Sequence, residues 1–169
     1  MIHHCRQLTP AELNAAYQIV MDAAAWLEER QLPAWRVPYA IYAHRQHAGE
    51  NHGLFVEGRL RAVVTLATAT PDAWAELVIH RRVTWLATLA SIREPGGQHD
   101  GQALVGYAEQ HARARSSDAI YLDCYYGDGR LPRYYERLGY VWLERKQLVF
   151  DDGSCHDSVL MRNVLVPKA

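Results

Sequence analysis

The apolar positions of the chain first recur at helical spacing. Leu13, Ala16, Tyr17, Val20, Ala24 and Leu27 form one stripe, and "RQLP" ends it near Gln31. Ahead of the stripe, Thr9, Pro10 and Glu12 read as a capping box with proline at the first helical position, and Leu8 and Leu13 are spaced as a hydrophobic staple. A second helix is expected from Pro38 through "PYAIYAHRQH", with "AGENHG" as the following turn. From His52 the period shortens to two. The segment "GLFVEGRLRAVVTLAT" predicts two strands joined at Glu57-Gly58-Arg59, with Leu60, Ala62, Val64 and Leu66 alternating against Arg61 and Thr65.

Two further strands are expected in "AELVIHRR" and "VTWLATLASI", the second nearly all apolar or small and therefore central. A glycine-rich loop, "REPGGQHDG", follows it directly. Ala103, Leu104, Tyr107, Ala108 and Ala112 then make a second helical stripe, followed by the strand "AIYLDCYY" and a short helix in "RLPRYYERLG", which Gly139 is suited to stop. "YVWLERKQLVF" and "HDSVLMRNVLV" give two last strands around the turn "DDGS". The expected order is α-α-β-β-β-β-α-β-α-β-β. A long helix between two apolar strands implies a parallel crossover and the hairpins imply antiparallel pairing, so the sheet is mixed.

At 169 residues the chain is long enough for one domain, spanning 1–169, with its own core. A composition of 49% hydrophobic and 22% charged residues, with a formal net charge of -1, gives no basis for binding nucleic acid or an anionic membrane, and points to small-molecule partners. Cys5, Cys124 and Cys155 have no paired spacing, which argues for a reducing compartment and a cytoplasmic protein. The start "MIHHCRQLTP" has no apolar h-region, and no apolar run is long enough to span a bilayer.

The element order, with a glycine loop leaving a central strand and "YYERLGY" after the next strand, resembles the GNAT family of acyl-CoA-dependent N-acetyltransferases. The resemblance covers nearly the whole chain, and its specific part runs from "LASIREPGGQHDGQALVGYAEQ" to "YYERLGYVW". It implies an α+β GNAT-like fold: a mixed, mostly antiparallel sheet of about six to seven strands flanked by helices. It also implies acetyl-CoA as co-substrate, an amine of a small molecule as acceptor, and direct transfer in a ternary complex without a metal. The family's loop pattern falls on Gly96 to Gly101. Here Gly101 matches, Gly96 replaces a basic residue or glutamine, and His99 replaces the middle glycine.

By that resemblance, Gly96, Gly97, Gln98, His99, Asp100, Gly101 and Gln102 would cradle the pyrophosphate through amides at a helix start, where the dipole favours an anion. His99 is able to donate to phosphate, whereas Asp100 can turn inward to cap its own helix. Leu89, Ala90 and Ser91 would lie at a bulge whose amides hold the thioester and pantetheine arm, and Asp128 takes the place of an asparagine that contacts that arm. Tyr135 resembles the general acid that protonates the departing thiolate, and Tyr134 is left as packing. For the base, Glu76, His80 and Asp123 all come into view; Glu76, expected to begin a strand beside the acceptor, is preferred. The aromatic residues Trp26, Trp35, Tyr39 and Tyr42 serve either as an acceptor wall or as packing. His44, His47 and His52, like His3, His4 and Cys5, read as a solvated turn and a frayed terminus rather than metal sites. The rival function is a GNAT-like domain acting as a binding or regulatory module. The last strand offers an edge for pairing, so both monomer and homodimer stay open.

Overall fold

The computed structural model describes residues 3–150 and 153–165. The elements are β1 (His3–Gln7), α1 (Leu13–Glu28), α2 (Tyr39–His47), β2 (Asn51–Val56), β3 (Arg59–Ala67), β4 (Val83–Ser91), α3 (Asp100–Ala114), β5 (Ala119–Tyr125), α4 (Arg130–Arg137), β6 (Val141–Val149) and β7 (Cys155–Val164), with 3₁₀ turns at Pro10–Glu12 and Asp72–Leu77. The strands form a seven-stranded mixed sheet in the order β1-β2-β3-β4-β5-β7-β6. β4 and β5 pair in parallel, while β1–β2, β2–β3, β5–β7 and β6–β7 are antiparallel. This is the expected class, with helices flanking the sheet.

The chain falls into two compact units: one runs through Ala67 and resumes at Leu86–Gln110, and the other is Thr68–Trp85 with His111 onward. In the first unit, α1 starts as its sequence dictates. The Thr9 N–H donates to the Glu12 carboxylate at 2.7 Å, closing the capping box, and Pro10 opens the first turn. Both guanidinium nitrogens of Arg6 donate to the same carboxylate, at 2.6 and 2.9 Å, and hold it down to about 2. The apolar stripe of α1 buries Ala16, Ile19 and Val20 with Leu8, Val37, Tyr42, Phe55, Val63 and Ala90. In the second unit the core is Ile120, Tyr121, Leu122, Val159, Leu160 and Met161, each at most 1% exposed. Gly139, at φ 93°, ends α4 as expected.

Four sequence expectations are corrected. His3–Gln7 is a strand paired with β2 rather than a frayed end. "AELVIHRR" is not a strand: Asp72–Leu77 is a 3₁₀ turn, because Trp74 is driven to 1% exposure and finds a partner for its N–H in Asp123. β3 is covered on both faces over Ala62–Leu66, so Thr65 is buried, and Arg61 is half-buried rather than on a solvent face. β7 lies between β5 and β6 and is not an edge; β6 is the outer strand. The expected "DDGS" turn lies partly outside the described residues, at positions 151 and 152.

Candidate active site

In the first unit the glycine loop is fastened to β3 at three points. The Ile92 N–H donates to the Arg61 carbonyl at 2.8 Å, Arg59 makes a two-pronged pair with Glu94 at 2.8 and 3.1 Å, and Arg61 Nη2 lies 3.2 Å from Asp100 Oδ2. The loop turns through Gly97 N–H to the Glu94 carbonyl and Asp100 N–H to the Gly97 carbonyl, both at 3.2 Å. Gly96 takes φ 87°, a conformation a basic residue would adopt only with strain, which accounts for the lost side chain there. Helical bonding starts with Ala103 N–H to the His99 carbonyl at 2.9 Å, so the Gly101 and Gln102 amides stand ahead of the ladder. His99 and Gln98 are exposed, and Asp100 is buried. Asp100 therefore does not cap its own helix: its carboxylate is turned to Arg61, a residue absent from the sequence-level site because strand alternation put it in solvent.

The expected irregularity of β4 appears one residue early. Thr88 has φ 52°, left-handed inside a strand, and its hydroxyl accepts from Arg45 Nη1 at 3.2 Å. Leu89, Ala90 and Ser91 follow it to the strand end. Beside Ser91, a cavity of about 340 Å³ is lined by Ile19, Asp22, Ala23, Trp26, Glu29 and Arg93 among others. The Arg93 and Arg30 guanidiniums lie over the Trp26 ring, 3.9 and 4.0 Å from its centre. Trp26 thus borders a space. Tyr42 is fully buried, while Tyr39 and Trp35 are exposed. His52, expected in a solvated turn, is instead buried on β2 with Nδ1 2.9 Å from the Tyr107 hydroxyl. Among the described residues, no group of three or more His, Cys, Asp or Glu is placed to hold a metal ion.

In the second unit Tyr135 sits on α4 at 6% exposure, packed edge-on against Tyr134 and Tyr140 with ring centres 5.2 and 5.8 Å away. Burial, seconded by Cys124 and the neighbouring tyrosines, raises its phenol well above the usual range, so it stays protonated throughout neutral and mildly alkaline pH. Burial also pushes the Cys124 thiol up to about 12, which makes it an inert core group. Asp123 is raised by burial and partly restrained by the Trp74 indole N–H, which donates to Oδ2 at 3.0 Å. Lys146 covers the Trp74 ring at 4.4 Å and donates to the Ala73 carbonyl. His80 is half-buried, its Nδ1 2.7 Å from the Tyr121 hydroxyl. Glu76 lies exposed on the 3₁₀ turn and does not begin a strand. Asp128 is committed locally: its carboxylate accepts from the Arg130 N–H at 3.0 Å and pairs with Arg130 Nε at 2.8 Å.

A family model described as the acetyltransferase (GNAT) family matches residues 13–140. The chain belongs to the GNAT acetyltransferase family. Its activity is therefore acetyl transfer from acetyl-CoA in general. Solved structures share the fold across nearly their whole length. A GNAT-family acetyltransferase from Listeria monocytogenes is 21% identical, with a TM-score of 0.80 and coverage of 96% of this chain and 95% of that one. The ribosomal-protein-S18-alanine N-acetyltransferase of Escherichia coli is 19% identical, with a TM-score of 0.73 and coverage of 99% and 97%. The Salmonella typhimurium protein yncA, solved with its cofactor acetyl-CoA, is 14% identical, with a TM-score of 0.70 and coverage of 100% and 97%. A comparison with curated proteins gives no match. No helix of the described residues is long and apolar enough to cross a membrane.

Proposed function

We propose that this GNAT chain is an N-acetyltransferase acting on an amine of a small molecule, by direct transfer from acetyl-CoA. The observation that carries the proposal is the start of α3. The Gly101 and Gln102 amides precede the helical ladder, and both carboxylates of the loop are turned to β3, Asp100 to Arg61 and Glu94 to Arg59, so a pyrophosphate meets N–H groups and a helix dipole rather than an opposing charge. The chain's own residues at this start therefore fit coenzyme A despite His99 and Gly96. In this reading Gly96, Gly97, Gln98, His99, Gly101 and Gln102 contribute backbone and exposed side chains to the phosphates, and the Leu89–Ser91 main chain serves the pantetheine arm.

Acetyl-CoA supplies the activated acyl group. The neutral amine nitrogen attacks the thioester carbonyl carbon, a C–N bond forms, the C–S bond breaks, Tyr135 gives its proton to the sulfur, and the proton the nitrogen sheds on becoming an amide returns through water to the Tyr135 oxygen. Tyr135 suits the role because it is protonated and, among the described residues, its hydroxyl has no hydrogen-bond partner to give up. Glu76, exposed to water, takes the proton lost by the ammonium. A small acceptor is supported by the cavity of about 340 Å³, a size typical of small-molecule sites, whose lining carries both signs of charge, Asp22 and Glu29 against Arg93. Three free cysteines fit a reducing compartment, and the protein acts in the cytoplasm in this reading.

The test is a thiol-release assay with acetyl-CoA against a panel of small primary amines and N-terminal peptides. Release driven by one or more small amines supports the proposal. Release driven by peptides alone would move the acceptor to protein N-termini.

A further inference from the structure

The loop departs from its family pattern at Gly96 and His99, and it also carries an acid, Asp100, in the first turn of α3. A carboxylate there is drawn to the same free amides that an anion needs, so an unrestrained Asp100 competes with phosphate. We infer that Arg61 is a positioning residue that removes this competition by holding the Asp100 carboxylate and, with it, the loop. The inference rests on the reading of this loop as the coenzyme A cradle.

Four observations carry it. The Asp100 side chain is only 4% exposed and that of Arg61 only 13%, and Arg61 Nη2 and Asp100 Oδ2 lie 3.2 Å apart as an ion pair, neither atom having a hydrogen-bond partner among the described residues, so each charge is offset chiefly by the other. The space is cut to the pair: a Cβ at Gly97 would stand 2.6 Å from Arg61 Nη2 and 3.1 Å from Asp100 Oδ2. The same residue holds the loop by its backbone, through the Ile92 N–H. One strand position before the intervening Leu60, Arg59 adds an exposed two-pronged pair to Glu94 of the same loop. β3 is a buried, paired strand, so the loop is referenced to a rigid element. Gly97 and Asp100 thus have a common cause, a guanidinium reaching in from β3.

The experiment compares the wild type, Arg61→Met, and the double variant Arg61→Met/Asp100→Asn. The double variant leaves no buried unpaired ion, so it remains informative if Arg61→Met fails to fold. Amide hydrogen exchange over residues 96–102 is followed in the free proteins, and the Kd for coenzyme A is measured by calorimetry. Arg61→Met is expected to speed exchange over this segment by about tenfold and to weaken coenzyme A by about tenfold or more. The double variant is expected to restore coenzyme A affinity to within about threefold of wild type. Unchanged exchange in Arg61→Met, or in the double variant if the single one does not fold, overturns the positioning role. A folded double variant that binds at least tenfold more weakly than wild type overturns the claim that Arg61 acts through Asp100. A wild type that does not bind coenzyme A removes the functional reading, while the exchange measurement still decides whether Arg61 holds the loop.

Discussion

Replacing Tyr135 by Phe isolates one oxygen atom. The ring is 6% exposed and rests on Tyr134 and Tyr140 at 5.2 and 5.8 Å, contacts that Phe keeps, so no cavity opens. The hydroxyl has no partner among the described residues, so its removal leaves no orphaned group, and the change in stability should stay within about 0.5 kcal/mol. Catalysis is affected differently. A positioned general acid contributes about 100-fold or more, which at about 1.36 kcal/mol per tenfold is about 2.7 kcal/mol or more of barrier. The assay is steady-state thiol release at saturating amine, with thermal denaturation alongside. The expected outcome is a kcat lowered by about 100-fold, a KM for acetyl-CoA within about threefold, and a Tm within about 2 °C of wild type. Because burial raises the Tyr135 phenol above its ordinary value of about 10, wild-type kcat should show no alkaline loss from this group below that pH. A variant with kcat within threefold of wild type at every pH would refute the acid role.

Three other outcomes follow from packing and charge. The Glu12 carboxyl is held down to about 2 by Arg6, so its stabilisation is present above the unfolded carboxylate value of about 4.3 and is lost as pH falls through 2; Glu12→Gln should cost about 1 kcal/mol at pH 7 and progressively less in denaturant titrations as pH is lowered from about 4 through 2. Trp74→Phe removes the indole bond to the half-buried Asp123 carboxylate and should lower Tm by about 4–8 °C, against no change if that contact is incidental. Gly97→Ala drives a methyl into Arg61 and Asp100 and should weaken coenzyme A by about tenfold, whereas unchanged affinity would mean the pair has room to shift.

Much of the fold was legible because local and global signals agree. The Thr9-Pro10-Glu12 cap, the Glu57-Gly58 hairpin, the crossover into α3 and the Gly139 stop all appear where the sequence puts them. Alternation failed on β3 because it assumes one wet face. A strand covered on both sides turns Arg61 inward, and its partner Asp100 is 39 positions away, where no periodicity links them. "AELVIHRR" reads as a strand by content, yet Trp74 overrides it by burying its ring and bonding to a half-buried acceptor on β5. β7 was legible as a strand but not as an interior one, since strand order is set by tertiary pairing. The site residues divide similarly. Tyr135 is marked by its motif, whereas Arg61 has no local signature.

The central claim is that this loop still cradles the coenzyme. Isothermal titration of the folded protein with acetyl-CoA, and separately with free coenzyme A, at neutral pH and moderate salt tests it most directly. Saturable micromolar binding of both, weakened as salt rises, is expected if the loop holds a pyrophosphate. No binding by protein shown to be folded would contradict it, and the chain would then stand as a GNAT domain used for binding or regulation rather than for transfer.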